Sequence, residues 1–170
     1  MNIYRTFGTI EYLSNLKSNH LNETMLLMLG DDDQALLLHE TESSSIFNEG
    51  TGYEVIDGTG NLSGSGFAVF NNIPVSEEGR SIFEYRFKNR ARLIENEPGF
   101  CAIRVLRPIK HDTYVILTLW DNESDFLNWQ SSNAYNEAHK NRGTSEGIDK
   151  KSIFLRPSYV TKYNIFNENA

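Results

Sequence analysis

Three side chains in this sequence could do chemistry together: Asn71, Trp129 and His139. Asn71 lies in Phe67–Val75, a run that alternates as a strand and puts Phe67, Val69, Asn71, Ile73 and Val75 on one face. A buried amide without partners costs about 1–3 kcal/mol. Asn71 therefore reaches a backbone group, faces water, or serves a ligand. Its neighbour Asn72 points the other way, which leaves the register open. His139 follows Tyr135 by four residues and shares its helical face, with the small Ala138 beside it leaving room for something bulky. A neutral imidazole is a common metal ligand, although a single histidine on a helix is also a structural or solvated group. Trp129 stands three residues after Phe126, so packing in the core and lining a ligand pocket both suit it. If the three converge, they line one pocket with an amide donor, a flat apolar wall and an imidazole.

The elements that would position them can be read from the pattern. From Gly66 the order is strand, helix, two strands, helix, strand: Phe67–Val75, a helix opened by Ser76 and continued by Ile82, Phe83, Phe87 and Leu93, then Phe100–Arg107, Thr113–Trp120, helical segments near 122–130 and 132–142, and a last strand near Ser158–Phe166. That β-α-β-β-α-β order predicts a ferredoxin-like α+β domain, an antiparallel sheet with helices on one face. Pro74 suggests that the first of these strands lies at an edge or is near its end. Both faces of the inner strands are apolar, with Cys101, Ile103 and Val105 opposed to Phe100, Ala102 and Leu106. Such a sheet needs a second cover, from a sheet-to-sheet homodimer or from the N-terminal part. Ahead of it stand a strand at Ile3–Phe7, a helix through Ile10, Leu13 and Leu16, strands at Thr24–Leu29 and Ala35–His39 around the turn Asp31-Asp32-Asp33, and a strand at Tyr53–Ile56. The Gly/Ser-rich piece Gly58–Gly66 is the best internal boundary. The chain thus divides into an N-terminal α+β extension, 1–64, and a ferredoxin-like domain, 65–170. No internal repeat is visible.

Composition narrows the function further. In 170 residues, a hydrophobic fraction of 39% with 12% aromatics is ample for a packed core, and a net charge of −7 argues against nucleic acid as a partner. The basic stretch Arg86–Arg92 reads as a solvated helix face. The single Cys101 cannot form an internal disulfide; within Phe100-Cys101-Ala102-Ile103 it reads as an inert buried thiol. No apolar run is long enough to span a bilayer and no signal peptide is evident, so a cytoplasmic protein without a membrane partner is expected. His39 reads as an edge or capping residue. There is no phosphate-binding Gly-rich loop, no Cys-x-x-Cys and no Gly-x-Ser-x-Gly elbow.

The segments Asn96-Glu97-Pro98-Gly99-Phe100, Arg104–Pro108, Tyr114–Trp120, Phe126-x-x-Trp129 and Ala138-His139-Lys140 resemble the antibiotic-biosynthesis-monooxygenase superfamily. Within it the likeness is to the Isd-type haem-degrading monooxygenases, in their longer, HmoB-like form. The resemblance implies haem as both substrate and cofactor, held by an Asn, a Trp and a His that fall on Asn71, Trp129 and His139. His139 would bind the iron, Asn71 would donate its amide proton where oxygen is activated, and Trp129 would press on and distort the porphyrin. Val69, Ile73, Phe70 and Phe126 would complete the wall. O2 and an external reductant, from a reductase or a small electron donor, would be required, and iron would be released. The superfamily also holds cofactor-free quinol-type monooxygenases and non-enzymatic signalling proteins of the TRAP type, which give the alternative readings.

Overall fold

Strands that are apolar on both faces cannot stay at the edge of an open layer, and here they close on one another. The computed structural model describes residues 1–64, 66–90, 92–132 and 153–167. The strands are β1 (Asn2–Gly8), β2 (Thr24–Leu29), β3 (Ala35–Thr41), β4 (Thr51–Thr59), β5 (Gly66–Pro74), β6 (Phe100–Pro108), β7 (Thr113–Trp120) and β8 (Tyr159–Ile165). The helices are α1 (Ile10–Ser18), α2 (Arg80–Lys88) and α3 (Glu123–Gln130). All strand pairs are antiparallel, and they form a closed barrel in the order β1-β3-β2-β8-β5-β7-β6-β4.

This corrects the expected fold. An open ferredoxin-like sheet with an N-terminal extension is replaced by one barrel to which both parts contribute strands. The C-terminal strands keep the ferredoxin-like order β8-β5-β7-β6, but their two edges are taken up, β6 by β4 and β8 by β2. Closure removes exposed edges. The four N-terminal strands run β4-β1-β3-β2, the same 4-1-3-2 order, so the barrel has two topologically equivalent halves. The N-terminal half has one helix, α1; the loop over 42–50 stands where the other half has α3. The repeat is one of topology, which is why no sequence repeat is visible.

Alternation along each strand then sorts the apolar residues into layers. Ile3, Leu26, Met28, Leu36, Leu38, Tyr53, Ala68, Phe70, Ala102, Leu106, Val115 and Leu117 fill the barrel, drawn from both halves. The second apolar cover that pointed to a homodimer is therefore supplied within the chain. Outside, α1 covers Met25, Leu27, Ala35 and Leu37 with Leu13. Phe83 of α2 packs on Ile73, Ile103, Val105, Tyr114 and Ile116. Pro74 ends β5, as expected for a residue without an amide proton, but β5 is an inner strand flanked by β7 and β8.

Two local expectations also change. Helix α2 stops at Lys88, and Leu93 falls in a separate 3-10 turn, Leu93–Asn96. Arg90 and Arg92 lie beyond the helix and bind Asp57 of β4 and Glu95, with separations of 3.0–3.2 Å. They tie this connection to the barrel and do not form a solvated helix face.

Candidate functional site

The register of β5 decides which of two adjacent asparagines can serve a ligand. Asn72 is turned into the barrel and is 1% exposed; its Nδ2 lies 3.1 Å from the carbonyls of Phe70 and Tyr159 and 3.2 Å from Thr161 Oγ1. Those contacts tie β5 to β8. Asn71 points outward, paired in register with Ile116 of β7 and Val160 of β8. It is half-buried, and its amide makes no side-chain hydrogen bond among the described residues. On one side of it lie Val69 and Phe67, in a cluster with Trp120 and Phe126; on the other lie Ile73 and Val75, packed beneath Phe83.

Helix α3 brings Trp129 to the same side of the barrel. The Asn122 side chain caps its first turn by accepting from the Asp125 amide at 3.0 Å. The Ser131-Ser132 pair closes its end, with Ser132 Oγ donating to the Trp129 carbonyl at 2.6 Å. Gly99, with φ near +80°, turns the chain toward the Asp125 side chain, which leaves no room there for a Cβ. Between these points the rings form a continuous wall. Trp129 lies 5.7 Å from Trp120 and 6.2 Å from Phe126, and Phe67 lies 6.3 Å from Phe126, centroid to centroid. Trp120 is wholly buried, its Nε1 donating to Thr118 Oγ1 at 3.0 Å.

Asn71, Val69, Ile73, Phe126 and Trp129 thus share the outer side of the C-terminal half. His139 lies outside the described residues. Phe70, expected in the same wall, faces the interior instead, where it meets Tyr163 at 5.3 Å; its place in the alternation is that of Asn72. Two residues were missed. Trp120 organises the wall, and its position at the end of an apolar strand hid it among core residues. Lys162 pairs in register with Val69 and holds its ammonium 5.7 Å over the Phe126 ring; the alternation of Tyr159–Ile165 could have flagged it.

Within this cluster Phe67, Val69, Ile73, Trp120 and Phe126 are buried, while Asn71 and Trp129 are half-buried at its margin, with Lys162 beside them. Among the described residues no group of three His, Cys, Asp or Glu could hold a bare metal ion. No helix among them is long and apolar enough to cross a membrane.

Comparison with known proteins bears on the family and the fold. Residues 66–141 match the antibiotic biosynthesis monooxygenase family. The signal transduction protein TRAP of Staphylococcus epidermidis is 30% identical over 137 residues, 81% of this chain and 81% of that protein. A heme-degrading monooxygenase of Listeria monocytogenes is 26% identical over 160 residues, 92% of this chain and 95% of that protein. Among solved structures, a major regulator of staphylococcal pathogenesis superposes with a TM-score of 0.84 at 22% identity, covering 98% of this chain and all of that one.

Proposed function

The chain belongs to the antibiotic biosynthesis monooxygenase superfamily, and on that premise we propose that it binds haem and degrades it oxidatively, as the longer, HmoB-like members do. The observation that carries the reading is Asn71, a half-buried amide between two apolar clusters with no side-chain hydrogen bond among the described residues. Asn72, wholly buried, spends its amide on its neighbours, whereas the half-buried Asn71 amide is left for water or a ligand.

Haem would supply the iron that activates O2 and the macrocycle that is oxidised, with electrons from an external reductant. The chain's own residues would do the rest. Trp129, backed by Trp120 and Phe126, would present a rigid face to the porphyrin and set its shape. Val69 and Ile73 would keep water from the same face. Asn71 would donate a hydrogen bond where oxygen is activated, and His139 would hold the iron through a ring nitrogen. Lys162 would pair with a propionate. The Listeria relative supports this reading by its name and by its coverage of nearly the whole chain.

The decisive measurement is titration of the full chain with haemin, followed by ascorbate in air. A one-to-one Soret shift followed by loss of the Soret band is expected. A stable Soret band after reduction in air would leave haem binding without degradation. A second reading, a non-enzymatic signalling protein, is favoured by the 30% identity to TRAP. Absence of any haemin-induced shift would move the assignment there.

A further inference from the structure

A cleft of about 710 Å3 opens where β1, β4 and the β6–β7 turn meet, and Arg5, Phe47, Ile109, Lys110, His111 and Tyr159 help to line it. Neither Asn71 nor Trp129 contributes to it. Polar atoms left over from the protein's own hydrogen bonding gather at and beneath this mouth. Arg5 Nε, Tyr53 Oη and Asn72 Oδ1 are buried and, among the described residues, have no hydrogen-bond partner; the His111 ring beside them bonds to the Gly52 backbone. They are neighbours. The Arg5 guanidinium lies 5.5 Å from the centre of the Tyr53 ring, and the His111 ring meets Tyr53 edge-on at 5.0 Å. Asn72 bonds to the carbonyl of Tyr159. Tyr53 and Asn72 are each 1% exposed. Buried polar groups are nearly always satisfied, so an association of this kind points to a ligand.

The chemistry of the set selects the ligand. Tyr53 keeps its proton, since burial raises its pKa to about 12, and so it can donate. His111 Nδ1 accepts from the Thr113 amide at 3.4 Å, and the ring also bonds to the Gly52 backbone, which fixes it at the rim of the cleft. Arg5 forms no ion pair among the described residues, whereas Arg90, Arg92, Arg104, Arg107 and Arg156 all do. Asp112, next to His111, is engaged by Arg156 at 2.9 Å and by Thr113 at 2.7 Å. A guanidinium fork at the mouth, with the Tyr53 hydroxyl as a neutral donor beneath it, matches a carboxylate. Phe47, Ile109 and Tyr159 offer an apolar surface to the rest of the molecule. We propose that this barrel mouth binds a small organic carboxylate with an apolar body, the carboxylate on Arg5 and the body against Phe47 and Tyr159.

The test uses the full chain and benzoate as probe, with benzyl alcohol and inorganic phosphate as controls, read by thermal denaturation and by 1H–15N spectra. Benzoate is expected to raise the melting temperature, to shift the Arg5 Nε–H and His111 ring signals, and to bind at least tenfold more tightly than benzyl alcohol. Arg5→Gln should weaken benzoate at least tenfold. If that variant does not fold, the wild-type comparison of benzoate with benzyl alcohol still decides the matter. Equal binding of benzoate and benzyl alcohol, equal binding to wild type and Arg5→Gln, or no response to benzoate overturns the proposal. Phosphate binding as tightly as benzoate at Arg5 overturns the apolar-body assignment and leaves an anion site.

Discussion

The indole of Trp129 packs on that of Trp120 with centroids 5.7 Å apart and planes 33° from parallel. Trp120 is fixed on β7 and wholly buried, so this contact, with Phe126, seats α3 on the barrel. Trp129→Ala removes most of that seat. It is expected to destabilise the protein by about 2–4 kcal/mol, while Trp129→Phe recovers at least half of the loss. Urea midpoints of the two variants check this. On the haem reading, the Ala variant also binds haemin more weakly, and the Phe variant retains binding.

The two asparagines of β5 should separate cleanly. Asn71→Ala breaks no side-chain hydrogen bond among the described residues and is expected to change stability by less than about 1 kcal/mol. Asn72→Ala strips the Phe70 and Tyr159 carbonyls and Thr161 of a buried donor and should cost about 2–4 kcal/mol. In turnover the order reverses: Asn71→Ala should bind haemin normally and consume it more slowly. Equal rates for Asn71→Ala and wild type would return that amide to a structural role.

Most element positions were legible because alternation and helical spacing are local signals. Phe67–Val75 against the observed Gly66–Pro74, and Thr113–Trp120 as read, show how far they reach. Closure of the barrel was not legible. It depends on β4 finding β6 and β2 finding β8, contacts far apart in sequence that leave no periodicity behind. The excess apolar face of β6 recorded that some cover was needed without naming it. For the site, alternation put Asn71 on an apolar face, where the structure also has it. The same alternation already placed Phe70 opposite Asn71, and the pocket-wall reading overrode it. Lys162 is a distant strand's contribution, found only through the register with Val69.

Glu84 gives the acid limb of stability a specific source. It accepts from Arg107 Nε at 2.9 Å and Nη2 at 2.5 Å, and from the Tyr114 hydroxyl. The Arg107 bonds first, then the Tyr114 bond, hold its carboxyl below the ordinary value of 4.5 against the opposing effect of burial. A depressed folded pKa contributes stability that is full above the unfolded value and is lost as pH falls through the lower, folded one. Glu84→Gln should therefore be less stable than wild type at neutral pH, by about 1–2 kcal/mol. The difference should shrink below pH 4.5. Denaturant midpoints followed from neutral to acid pH test this, and a difference that stays constant would refute it.

Cys101 should be a poor nucleophile. Burial chiefly, and the Asp121 carboxylate that accepts its S–H at 3.2 Å, push the thiol up to about 11. Near pH 8 only about a thousandth of it is thiolate, so a disulfide reagent should label it roughly a hundredfold more slowly than free cysteine. Denaturation should restore the ordinary rate. Fast labelling of the native protein would show that β6 opens at this end.

The pair formed by Arg104 of β6 and Glu40 of β3 joins the two halves of the barrel. Arg104 Nε donates to Glu40 Oε2 at 2.7 Å, with the side chains only 10% and 12% exposed. Arg104 also donates to the carbonyls of Thr59, Ile103 and Gly60, all at 2.9–3.0 Å. Removing one member of a buried pair leaves the other charge without compensation, typically at a cost of about 3–5 kcal/mol. Arg104→Met should reach that range, since it strands Glu40 and also strips those carbonyls of a donor. Glu40→Gln should cost less, because Arg104 keeps its carbonyl bonds. The double variant should be more stable than the sum of the two losses implies, since the stranded charge is counted once in each single variant. Urea unfolding of the three variants measures the coupling. Strict additivity would mean that the halves are held together by their strand pairing and shared core, with no contribution from this ion pair.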